Sequence, residues 1–235
     1  LQKYQDNRKD MNRNITLPLV IFFTSLILYS CSTSRKIDTT LAKVYERDQN
    51  IRKTAMELTR SVSQGNTMLV DSLVKTTNKM IQIDEENIII VENILKNGIP
   101  ENLSKESYET IWLVIDHASL EIQERYLPII EEMTSKRIIS NNRYAILYDR
   151  IAMKQNRLQR YGTQTIQIAS DNTLRIFVWP VENPDKLDSL RNSINLKPIT
   201  EYTKVISEET GIQAIYDPSL SIEDINKMKT GRLEI

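Results

Sequence analysis

Residues 41–62 read LAKVYERDQNIRKTAMELTRSV. Leu41, Val44, Ile51, Ala55, Leu58 and Val62 recur at three- and four-residue steps with one step skipped, which places them on one stripe of an α-helix. Asp48 occupies the skipped step. A carboxylate inside an apolar stripe needs a partner or a shifted pKa, because burying it alone is costly. The stretch therefore predicts both a helical fold and a polar position within its buried face.

The same pattern continues in both directions. Thr39 or Thr40 is the expected cap of this first helix. A second stripe, Val70, Leu73, Thr77, Met80, Val91 and Ile94, runs from Met68 to Asn97, is interrupted by Asp84 and Asn87, and stops at Gly98 and Pro100. A third helix over 104–121 opens on a Ser104 to Ser107 cap and is apolar nearly all round, with His117 opposite Tyr108, Ile111, Trp112 and Ile115. Two more helices are expected around 121–136, limited by Pro128, and 142–155. Ile166 and Ile168, then Leu174, Ile176 and Val178, alternate on either side of SDNT and read as a small β-hairpin. From Pro184 onward short amphipathic helices follow, and KMKTGRLEI at the end is expected to fray. The fold class is mainly α: a helical bundle with a small appended β-hairpin.

The beginning of the chain concerns location. Ile15 to Tyr29 carries no charge and follows MNRN, the layout of a secretory leader too short to span a bilayer comfortably. Leu28, Tyr29, Ser30 and Cys31 resemble the bacterial lipobox, which implies cleavage before Cys31 and acylation of its sulfur. An exported protein with one cysteine would otherwise carry an unpaired thiol into an oxidising compartment. The expected organisation is an upstream extension over 1–10, a lipoprotein signal peptide over 11–30, a polar tether over 31–39 and a single helical domain over 40–235. The expected location is the bacterial cell envelope, lipid-anchored to a membrane and facing the periplasm.

Composition narrows the chemistry. The chain has 235 residues, is 40% hydrophobic, and balances 31 basic against 31 acidic residues. A neutral balance with no basic run argues against nucleic acid as a partner. One histidine and one lipidated cysteine leave no histidine- or cysteine-rich zinc site, so no metal and no cofactor is expected; a cation would need oxygen donors such as Asp48, Asp84 or Asp149. No GxxxxGK, GxGxxG or GxSxG motif occurs.

The remaining polar candidates lie in IDHAS, YAILYDR and QRYGTQ. His117 is the one side chain that titrates near neutrality when unperturbed, which makes it the default general base, with Asp48 or Asp84 to orient it. Arg150 or Arg160 suits an anionic group, and Gln159, Tyr161, Thr163 and Gln164 offer directional hydrogen bonds around Gly162. Each also has a structural reading, as a core histidine, a helix-end ion pair or a turn glycine.

These blocks resemble an uncharacterised bacterial family, a domain of unknown function often found behind signal peptides. The resemblance rests on RDQNIR at 47–52, DEEN at 84–87, NGIP at 97–100, DHAS at 116–119, YAILYDR at 144–150, QRYGTQ at 159–164 and LRNSINLKPITEY at 190–202. It covers about residues 45–202 and departs from the family pattern at Ile99, Asp116 and Ser119. It implies a common site drawn from Asp48, Arg52, Asp84, Asn87, His117, Asp149, Arg150, Gln159, Tyr161 and Gln164, and it implies no reaction. Two functions follow as expectations: binding of a small molecule or envelope protein through a polar pocket, or a hydrolase using His117. A purely structural envelope protein is the third.

Overall fold

A computed structural model describes residues 13–170 and 173–230, with side chains described from residue 33 onward. The expected leader and the Cys31 thiol lie outside the residues whose side chains are described. Among the described residues, no helix is long and apolar enough to cross a membrane. The chain divides into two compact units, Leu1–Ile111 and Trp112–Ile235.

The first unit is a helical hairpin followed by the start of a third helix. Helix α1 (Arg13–Ser63) and helix α2 (Val70–Leu95) are joined through a short turn in which Gly65 takes a φ of 96°. A residue without a Cβ adopts that left-handed conformation at no steric cost. Residues 31–39, read above as a tether, fall within α1, and the Thr39 and Thr40 hydroxyls donate back to the carbonyls of Arg35 and Lys36 rather than capping its start. Near the base of the hairpin Leu41 and Val44 of the first stripe are buried on α1; on α2 Val91 of the second stripe is buried together with Ile83 and Leu95, which the stripe did not include, while Val70, placed on it, is exposed.

Helix α3 (Lys105–His117) begins in this unit. Ser104 accepts from the Ser107 amide at 3.1 Å, as the sequence predicts, and Asp38 of α1 joins the cap, accepting from the Ser104 amide at 3.0 Å and the Ser107 hydroxyl at 2.6 Å. Burial pulls the Asp38 carboxyl up, but the hydrogen bonds from Ser107 and Ser104 outweigh it and hold the group below the ordinary aspartate range.

In the second unit α4 (Leu120–Ser135) and α5 (Asn141–Lys154) form an antiparallel pair. Ser119 caps α4 by accepting from the Ile122 amide, which ends α3 at His117 instead of letting it run to residue 121. Next comes the expected hairpin, β1 (Thr165–Ser170) against β2 (Thr173–Val178), with Ile168 opposite Arg175 and Ile166 opposite Phe177. A short third strand, β3 (Ala214–Ile215), adds in parallel to β2. Helices α6 (Leu187–Ser193), α7 (Ile199–Thr210) and α8 (Ile222–Lys229) complete the unit. Trp179, Phe177 and Ile168 pack with Ile225 and Met228 of α8, so the chain up to Thr230 is anchored where fraying was expected. Val178, Val181, Leu187 and Ile199 form a second apolar cluster. The architecture is mainly helical with a small appended sheet, as the sequence predicts.

Candidate functional site

Within the first unit, the two interruptions of the apolar stripes meet. Asp48 has no exposed surface. Arg52, one turn along α1, donates Nε to Asp48 at 3.2 Å and a terminal nitrogen to Asp84 of α2 at 2.6 Å. One guanidinium thus joins both carboxylates, the partnering that a buried charge requires. Gln49 also donates to Asp48 at 2.8 Å. These carboxylates are the oxygen donors a hard cation would use, and Arg52 supplies the positive charge beside them.

One turn from Asp84, Asn87 is 1% exposed and accepts from Arg47, which also donates to Glu86 at 2.8 Å. The Asn87 side-chain nitrogen has no hydrogen-bond partner. Buried donors are nearly always satisfied, so an amide left over inside a charged cluster marks a place for an acceptor. Arg47 was not among the sequence candidates; its one signal is its position in RDQNIR, five residues before Arg52.

In the second unit Asp149 is the hub. It projects from α5 toward the loop that leads into β1, where it accepts from the amides of Arg160 at 2.8 Å, Tyr161 at 3.0 Å and Thr163 at 3.0 Å, and from the Thr163 hydroxyl at 2.9 Å. Burial pushes the Asp149 carboxyl above the ordinary aspartate range against the pull of these donors. The loop carbonyls are held from the other side: Arg191 of α6 donates to the carbonyls of Tyr161 at 2.7 Å and Gly162 at 2.9 Å, and to Lys197 at 2.7 Å. Its guanidinium carbon lies 4.8 Å from the Tyr202 ring centre. Burial lowers the Arg191 pKa.

Gly162 has a φ of 67°, and a Cβ there would stand 3.3 Å from Ile199 and 3.4 Å from Leu187. The glycine is therefore required by the turn and by close packing. Gln159 donates to the carbonyls of Trp179 at 2.5 Å and Gln164 at 3.1 Å and accepts from the Gln164 amide at 2.9 Å; Gln164 donates to Ile146 at 3.3 Å. In this arrangement the polar atoms of QRYGTQ bond to the protein's own loop. Tyr161 meets Tyr148 edge-on at 6.2 Å, and Arg160 lies over the Tyr161 ring at 5.7 Å. Arg150 pairs with Asp116 at 2.8 Å, and Gln123 donates to the Asp116 carbonyl while its own oxygen has no partner. His117 is half-buried at the end of α3.

The structure thus brings Asp48, Arg52, Asp84 and Asn87 together in one unit, and Asp149, Gln159, Tyr161 and Gln164 together in the other. Arg191 was missed as an individual residue, although the LRNSINLKPITEY block contains it. The chain belongs to a family of unknown function, DUF6624, whose model matches residues 36–215. No curated protein and no solved structure matches it.

Proposed function

From membership of this family of unknown function, we propose that the chain is a lipid-anchored protein of the bacterial envelope that binds a small ligand through the polar cluster of α1 and α2. The observation that carries the reading is the Asn87 amide, buried with a free donor among Arg47, Arg52, Asp48 and Asp84. A carboxylate or phosphoryl oxygen would satisfy that donor, competing with Asp48, Asp84 and Glu86 for the guanidinium groups of Arg47 and Arg52. The lipobox-like LYSC supports the location. The Asp149 loop then serves as a rigid support, since its amides and carbonyls are bonded internally.

The test is titration of the protein with acetate and with inorganic phosphate, observed through the Asn87 side-chain amide in a proton–nitrogen correlation spectrum. A saturable movement of that resonance, assigned by its loss in Asn87→Leu, is expected. An amide unmoved by either anion overturns the assignment.

The alternative is a hydrolase with His117 as general base. It calls on Asp48 and Asp84, which Arg52 bridges at 3.2 and 2.6 Å, as the carboxylates that orient the base. It predicts turnover with a bell-shaped pH profile that His117→Ala abolishes, whereas binding alone predicts no turnover.

A further inference from the structure

A second cluster lies wholly within the second unit, where three tyrosines converge. Tyr144 and Tyr148 stand one turn apart on α5, beside the fully buried row of Ala145, Asp149 and Ala152, with ring centres 5.8 Å apart. Both are half-buried, so part of each ring reaches solvent. Tyr161, carried by the loop that Asp149 ties down, meets Tyr148 edge-on at 6.2 Å and holds the Arg160 guanidinium over its ring at 5.7 Å.

These ring contacts account for the carbon bodies and leave the polar ends over. Among the described residues, none of the three hydroxyls and no nitrogen of the Arg160 guanidinium has a hydrogen-bond or ion-pair partner. A tyrosine that only fills the core bonds its hydroxyl to the protein, as Tyr108 does to the Pro100 carbonyl at 2.6 Å and Tyr202 to that of Thr163 at 2.7 Å. Tyr161 is just 8% exposed and still leaves its hydroxyl unbonded. The loop is already held from both sides, by Asp149 on its amides and Arg191 on its carbonyls, so little ordering remains to oppose binding.

The charges acting on the tyrosines select the ligand. Burial raises the Tyr144 pKa, and the Glu131 carboxylate of α4 raises it further. Burial also raises that of Tyr161, against the pull of Arg160 and with Asp149, Tyr148 and Glu182 adding to it. At neutral pH both phenols therefore keep their protons, and each hydroxyl can donate and accept. Asp149 is taken up by the loop amides, whereas Glu131 and Glu182 are exposed and have no ion-pair partner among the described residues. One guanidinium against two carboxylates disfavours a simple anion. The same mixture of donors and acceptors suits a neutral molecule whose groups also do both, and the tyrosine rings offer apolar faces to the carbon skeleton of such a molecule. A sugar ring has both properties.

We infer that Tyr144, Tyr148, Tyr161 and Arg160 form a saccharide-binding site, in which the phenol rings pack against a sugar and their hydroxyls, the guanidinium, Glu131 and Glu182 exchange hydrogen bonds with its hydroxyl groups.

Saturation-transfer difference spectra of the full chain in a sugar-free detergent test this, with maltotriose and chitotriose as probes and inorganic phosphate as competitor. The expected result is saturable transfer to the ring C–H protons of at least one trisaccharide, undisturbed by phosphate. Its Kd should rise tenfold or more in Arg160→Gln and in Tyr148→Phe, which keeps the ring and loses only the hydroxyl. No transfer to either trisaccharide at about 10 mM, ten times the Kd of a millimolar site, overturns the inference. So does transfer that both variants leave intact, or displacement of the trisaccharide by phosphate, which would make the cluster an anion site.

Discussion

Replacing Asp149 by alanine removes the acceptor for three backbone amides and one hydroxyl at once. Each buried donor left unsatisfied costs about 1–3 kcal/mol. Taking the Tyr161 and Thr163 amides as fully stranded, and the Arg160 amide and Thr163 hydroxyl as partly rescued by water, the loss comes to about 3–5 kcal/mol. That is a large fraction of the roughly 5–15 kcal/mol that holds a typical domain together. The internal control is Thr163→Val, which deletes only the hydroxyl contact and should cost about 1 kcal/mol. Urea unfolding followed by tryptophan fluorescence measures both, because Trp179 donates its backbone amide to Gln164 and its indole nitrogen to Arg157 beside the loop. If Asp149→Ala loses no more stability than Thr163→Val, the carboxylate is not the hub of the loop and the support role assigned to it is wrong.

Gly162→Ala should destabilise by about 1–2 kcal/mol, from the left-handed backbone and the contacts a methyl would force on Ile199 and Leu187, as read from the same urea transition. Arg52→Met should cost about 2 kcal/mol, discounted because the guanidinium is partly exposed, by removing the bridge between buried Asp48 and Asp84; Asp48→Asn in the same background should recover part of the loss. Asp38 has a folded pKa below its unfolded value, so its contribution is present above the unfolded pKa of about 4 and is lost as pH falls through the lower folded value. Acid titration of Tm should therefore be less steep below about pH 4 in Asp38→Asn than in the wild type.

The helices were readable because burial repeats with the helical period, and the two stripes of the hairpin show this directly. The breaks in those stripes were readable too: Asp48, Asp84 and Asn87 stand out as polar residues on buried faces, and such groups must find partners. Their partners were half visible, since Arg52 follows Asp48 by one turn. The Asp149 loop was not readable. A carboxylate that binds amides 11 to 14 residues later leaves no periodic trace, and the residues quoted from QRYGTQ point equally well to an external ligand. Arg191 was hidden for the same reason, because its partners are backbone carbonyls whose identity no side chain reveals. β3 pairs through only Ala214 and Ile215, too few residues for alternation to register.

The most direct test of the proposed lipid anchor is the intact mass of the amino-terminal peptide of the protein isolated from its native cells. The account predicts a peptide that begins at Cys31 and carries a diacylglyceryl thioether. A peptide that retains Ser30 and the residues before it, or that begins at Cys31 with an unmodified thiol, contradicts it.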